Sequence, residues 1–201
     1  MLGANGRTGR DVLGLALSAG DGVTALVRAE SKLGEVSHER LEVRVGDACD
    51  PRVLEAILPG HDVVISTLGP RLPTKAATAV YSDSAASIVD AMQASGVHRL
   101  LVTSTTLLFP SAGLLDRLLR RLTSNVVREA GRMEERIRSS SLDWTIARVG
   151  FLTNGPATGY RHAAGASPEG GGSISRAAVA RFLLAEARES AHVCQVVGLS
   201  G

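Results

Sequence analysis

The sequence predicts an α/β fold built on a doubly wound parallel sheet, and three observations carry that prediction. Short apolar runs rich in β-branched residues recur along the chain. Segments with helical periodicity and recognisable ends separate them. A glycine-rich turn, Gly3-Ala4-Asn5-Gly6-Arg7-Thr8-Gly9, stands in front of the first helical segment. Apolar runs without polar alternation suit a parallel sheet whose two faces are both covered by helices. Strands alternating with helices at this spacing imply βαβ units with right-handed crossovers.

The elements follow in order. Only Met1-Leu2 precedes the glycine turn, where a full strand should feed it. Two residues cannot fill a slot of typically ~5. The first strand therefore reads as truncated, with the true start expected upstream and a gap expected in the sheet if the chain begins here. Val12, Leu13, Ala16 and Leu17 form the apolar face of the first helix, and Gly20 stops it. Strands are expected at Val23 to Val27, Leu41 to Val45, Asp62 to Thr67, Arg99 to Thr103, Trp144 to Ala147 and Val193 to Val197. Asp50-Pro51 supplies an N-cap and an N1 proline for a helix whose face is Val53, Leu54, Ile57 and Leu58, with Gly60 after it. A further helix runs from about Ala79 to Ala94, with Tyr81, Ala85, Ile88, Val89 and Met92 on one stripe and Gly96 as its stop. The region Leu114 to Ser139 reads as helical with a break near Thr123-Ser124, and the last helix spans roughly Arg176 to Arg188. Asn154 to Ser173 is rich in Gly, Pro and Ser. It is expected to be a long loop on the substrate side, over about 154–175, or else an unstructured insertion. No internal repeat appears, and the 201 residues read as one domain.

Composition excludes several function classes. Hydrophobic residues make up 44% and charged residues 21%, with a net charge of +2, which argues against disorder. The 22 basic residues, of which only Lys32 and Lys75 are lysines, are nearly matched by 20 acids, so no basic patch for nucleic acid is expected. Aromatics at 3% are too sparse for base-stacking platforms. Cys49 and Cys194 have no metal-binding spacing and are expected to be reduced thiols. No apolar run reaches the ~18 residues of a membrane span, and Asn5, Arg7, Arg10 and Asp11 interrupt any signal peptide. A cytoplasmic protein without membrane or nucleic-acid partners is expected, as monomer or weak homodimer.

The glycine turn carries the chemistry. One glycine permits the reversal, one lets a pyrophosphate approach the main chain, and one lets the helix pack on the sheet. Unpaired amides at the positive end of the helix then hold the phosphates, as in a Rossmann-like dinucleotide fold. The spacing is GxxGxxG. At the end of the second strand, where an NAD site offers a carboxylate, stands Arg28. A guanidinium suits a 2′-phosphate, which favours NADP(H), and Arg7 and Lys32 could add to that patch. Asp47, after the next strand, can take an adenine amino group, and Gly69 in Ser66-Thr67-Leu68-Gly69-Pro70 lets backbone approach the ribose and pyrophosphate.

GANGRTG, ALVR, VGDACD, VVISTLG, HRLLVTST and SLDWTIARVGFL occur in an order that resembles the atypical short-chain dehydrogenase/reductases of the NAD(P)H-binding, NmrA-like type. The flavin reductase and biliverdin reductase B group is the nearest subgroup. The resemblance implies that Gly3, Asn5, Gly6, Arg7, Thr8 and Gly9 hold the pyrophosphate, Arg28 the 2′-phosphate, and Asp47 with Ala48 the adenine. It implies that Leu68, Gly69 and Arg71 line the central cleft, that Thr103 and Ser104 face the nicotinamide, and that Val149 to Leu152, including Phe151, complete that pocket. Ser104 is the candidate catalytic residue, orienting the carboxamide or the acceptor carbonyl. The chain departs from the wider pattern in two ways. The Tyr-xxx-Lys pair is absent, since Tyr81 and Tyr160 are followed four residues later by Ala85 and Ala164. Val149 and Phe151 stand where relatives have Pro and His.

Two readings follow. One is an NADPH-dependent reductase passing hydride to a flavin, quinone-like or other planar small-molecule acceptor, with solvent supplying the proton. The other is a non-catalytic NADP(H)-sensing regulator. His38, His61, His98, His162 and His192 are dispersed and read as surface or turn residues, with His162 the best exception. The Leu114 to Leu122 stripe, opposite Arg117, Arg120 and Arg121, reads as a lid or a helix packed on the sheet.

Overall fold

Strand residues alternate between two apolar layers because helices cover both faces of the sheet. Leu100 and Val102 enter one hydrophobic cluster and Leu101 the other, all three essentially without solvent contact. In this computed structural model the described residues are 1–29, 33–34, 36–70, 72–110 and 114–201, the side chains of 114–117 excepted. The chain runs α1 (Arg7–Ser18), β1 (Val23–Val27), β2 (Leu41–Val45), α2 (Pro51–Ile57) and β3 (Val63–Ser66). It continues through α3 (Lys75–Thr78), α4 (Val80–Ser95), β4 (Arg99–Thr105), α5 (Leu114–Leu122) and α6 (Ser124–Arg138). The last part holds β5 (Asp143–Val149), β6 (Phe151–Thr153), β7 (Arg161–Ala164), β8 (Ser173–Ser175), α7 (Arg176–Glu189) and β9 (Gln195–Ser200).

β1 and β2 pair in parallel, and β3, β4, β5 and β9 form a parallel block with β7 antiparallel at its edge. The two parts meet at Leu2, which bridges Leu26 on one side and Ser66 on the other. Its N–H donates to the Ile65 carbonyl at 2.8 Å, and its carbonyl accepts from the Thr67 N–H at 3.0 Å. The Met1 carbonyl accepts from the Leu26 N–H at 3.0 Å. Met1-Leu2 thus fills the end of the central slot next to the glycine turn, so the expected gap does not part the strands where that turn begins. Residues of α1 and α7 pack on one face of the sheet, and those of α2, α4 and α6 on the other.

Local signals behave as their chemistry requires. The Asp50 side chain accepts from the Arg52 N–H at 3.0 Å, and Gly96 ends α4 in the left-handed region at φ 72°. The break near Thr123 separates α5 from α6. One expectation needs correcting: the stretch read as a continuous long loop contains β7. Gly198 admits the chain beside β9, since a Cβ there would lie 2.1 Å from the Ala166 carbonyl oxygen. Arg161-His162-Ala163-Ala164 has no apolar alternation of its own, and its pairing comes from β9.

Candidate functional site

The site begins at the turn into α1. Gly3 sits at φ 79°, and a Cβ there would lie 2.9 Å from the Thr67 carbonyl carbon. A Cβ on Gly9 would lie 2.0 Å from the Gly3 oxygen, so the helix packs against its own approach loop. Gly6 is the N-cap, with no side-chain cap bond, and it lines a cavity. Arg10 is the first residue of α1 whose amide reaches back, to the Gly6 carbonyl at 2.9 Å. The amides of Arg7, Thr8 and Gly9 have no backbone partner among the described residues. No acidic residue stands in that first turn. Free amides at the positive end of a helix form an anion cradle.

The carboxyl ends of β1, β2 and β3 open beside that cradle. A cavity of about 520 Å³ lies there, lined by Gly3, Asn5, Gly6, Arg28, Asp47, Ala48, Leu68 and Gly69 among others. The residue pattern and the family resemblance together point to these eight, and the fold brings them to one cavity. Asp47 accepts from the Cys49 N–H at 3.0 Å, which fixes its carboxylate at the rim. Burial, then the Asp47 charge, pushes the Cys49 thiol up to about 11, so it stays protonated. Arg71 and Lys32 lie outside the described residues. The bare glycine turn, the unpaired amides and Arg28 on one wall fit a dinucleotide with an added phosphate.

Two residues with shifted titration were not predicted, Tyr81 beside this cleft and Arg176 at the start of α7. The Tyr81 hydroxyl lies 3.4 Å from where a Gly69 Cβ would stand, and burial raises its pKa to about 12. It remains a neutral O–H donor beside the cleft. The helical stripe had marked Tyr81 only as core, since periodicity does not say which end of a ring meets a cavity. Arg176, at the start of α7, donates to Asn154 Oδ1 at 2.7 Å. Burial lowers its pKa, and repulsion from Arg7 lowers it further.

The ends of β4 and β5 differ from expectation. Ser104 is only 3% exposed, and its hydroxyl donates to Glu134 Oε1 at 2.6 Å. Glu134 is held in turn by Arg148, Nη2 to Oε2 at 2.6 Å and Nε to Oε1 at 3.0 Å. Strand alternation turns Ser104 to the α6 side, where it is engaged structurally and does not face the cleft. Val149 is likewise buried in the core with Leu101, Ala147 and Ile174. Thr103 is half-buried and lines neither of the two cavities of this sheet edge. The neighbouring Gly150 and Phe151 do line a cavity, of about 380 Å³, with Thr105, Phe109, Pro110, Leu119 and Arg120. Phe151 is 70% exposed at its rim. A Cβ on Gly150 would lie 2.5 Å from the Gly172 carbonyl oxygen, which shows how closely the 171–172 backbone closes this pocket.

The fold recurs in known proteins. Solved structures similar to this chain include a short-chain dehydrogenase/reductase of wide type from Veillonella parvula in complex with NADP, at 24% identity and a TM-score of 0.79, with 100% of this chain and 92% of that one covered. A second is an anaerobillin reductase from Escherichia coli O157:H7, at 25% identity and a TM-score of 0.80, covering 99% and 94%. A third is a Rossmann-fold NAD(P)-binding family protein from Shigella flexneri, at 22% and 0.78, covering 99% and 90%. The model of the NAD(P)H-binding family matches residues 3–190, which run from the first glycine of the turn through the end of α7. The chain therefore belongs to the NAD(P)H-binding family, with a Rossmann fold.

Proposed function

We propose that the protein is an NADPH-dependent reductase acting on a flat, conjugated small-molecule acceptor. The observation that carries the reading is a pair of cavities at one sheet edge. One is framed by the glycine turn and Arg28, the other by Phe109, Leu119 and Phe151. The likeness to the anaerobillin reductase of Escherichia coli supports reduction as the chemistry. When bound, the nicotinamide supplies the hydride. The amides of Arg7, Thr8 and Gly9 hold the diphosphate, and Arg28 selects the 2′-phosphate over a bare ribose. Phe151 offers an exposed ring face on which a conjugated acceptor stacks, and the apolar walls of Phe109, Pro110 and Leu119 keep water out. No side chain need donate a proton to such an acceptor, because its reduced form takes one from solvent.

A second reading, an NADP(H)-sensing regulator without turnover, draws support from Ser104, whose hydroxyl is engaged by Glu134. NADPH oxidation followed against FMN, riboflavin and a set of quinones separates the two. Acceptor-dependent oxidation faster with NADPH than with NADH is expected. A protein that binds NADPH yet oxidises none with any acceptor would leave only the sensor.

A further inference from the structure

The second cavity contains a charge that its walls do not explain, and the inference drawn from it rests on the acceptor assignment above. Arg120 lines the cavity, and its Nη2 donates to the Phe109 carbonyl. Its Nε is buried and has no partner among the described residues. Among the described residues the lining includes the hydroxyls of Thr105, Thr106, Thr123 and Ser167 and no carboxylate. The anchor is rigid. Phe109 is 6% exposed, and the Arg148 guanidinium stands 4.4 Å from the centre of its ring. On another side a Cβ at Gly198 would lie 3.0 Å from the same ring. Phe109 therefore holds Arg120 in a fixed place at an apolar wall.

With no carboxylate among the described lining residues, the Arg120 charge is uncompensated at an apolar wall, a cost that a docked anion offsets. The planar fork of the guanidinium suits a carboxylate or a similar oxyanion better than a lone carbonyl. Phe151 at the rim meets the ring system, while Arg120 meets a group on its edge. We propose that this pocket selects acceptors bearing an oxyanion on the conjugated ring, with Arg120 as the residue that sets the preference.

The test uses the full chain with a naphthoquinone sulfonate and its unsulfonated parent as probes. KM and kcat for NADPH oxidation are measured with each, and the dissociation constant of the sulfonate is measured by calorimetry. Loss of one charge-assisted contact should raise the sulfonate KM and dissociation constant of Arg120→Gln roughly tenfold to a hundredfold. The parent quinone's KM and the NADPH dissociation constant should stay as in wild type, and Arg120→Lys should recover part of the loss. If Arg120→Gln does not fold, Arg120→Lys and wild-type binding of the two probes decide the matter: equal affinity for both overturns the inference. Reduction of both quinones with a preference indifferent to Arg120 also overturns it, while leaving the reductase reading intact. Reduction of neither, with NADPH bound, removes the reductase reading itself.

Discussion

Arg28 and Gly9 show how single positions made the candidate nucleotide cleft legible. Each owes its role to local geometry: a turn that tolerates no Cβ, and a charge at the end of a strand. Gly9 has no room at all, with the Gly3 oxygen 2.0 Å from a would-be Cβ. Arg28 lines the cleft, as its place after β1 required. Replacing Arg28 by Ala should lower the preference for NADPH over NADH by about 1–3 kcal/mol, the range for a charge-assisted contact, read from paired binding titrations. An unchanged ratio would show that another group takes the phosphate. Ser104 was misread because a strand-end position alone does not tell which face its side chain takes. Strand alternation turns it to the Glu134 side.

At the scale of elements, the ion pair between Glu134 and Arg148 ties α6 to β5 behind the Phe109 wall of the second cavity. The two side chains are 3% and 12% exposed. The pair also supports Phe109, since Arg148 stacks on its ring. Glu134→Ala leaves Arg148 beside apolar walls without its counter-charge and should cost about 3–5 kcal/mol of stability. Urea unfolding measures this, and a loss under ~0.5 kcal/mol, the range of ordinary surface changes, would show that the pair is not structural. NADPH affinity should hold, because the glycine turn lies across the sheet. Helix ends were readable at this scale because caps are local, as with Asp50 and Gly96. β7 was not, because an edge strand of Arg, His and two Ala exists only by virtue of β9.

Across the whole molecule, a buried network joins α7 to the far end of the sheet. Arg99 Nη2 lies 2.8 Å from Glu186 Oε1, and His192 Nδ1 lies 2.8 Å from Glu186 Oε2. Thr145 donates to the His192 carbonyl at 2.8 Å. The fold also gathers His162 and His192, with ring centroids 5.1 Å apart, which their dispersal in sequence concealed. Burial alone would raise the Glu186 pKa, but the His192 bonds and the charges of His192 and Arg99 outweigh it and hold the carboxyl below its ordinary 4.5. Unfolding returns the group to that ordinary value. Its contribution is therefore complete above about pH 4.5 and is lost as pH falls through the lower folded value. Wild-type unfolding free energy should fall steeply below pH 4.5. Glu186→Gln should be about 3 kcal/mol less stable near neutrality and flatter in acid. Equal acid slopes for the two proteins would remove Glu186 as the source.

What the residues determined unaided was the α/β class, the order and ends of most elements, and the glycine turn and strand ends that gather at one cavity. These depend on periodicity, caps and turn glycines, whose energetics act over a few neighbours in the chain. The contacts that link Ser104 to Glu134, Arg120 to Phe109, Arg176 to Asn154 and His192 to Glu186, and those that pair β7 with β9, were decided only by the folded chain. Those partners are set by which face of a strand or helix turns inward and by what packs there, and a linear pattern does not encode that choice.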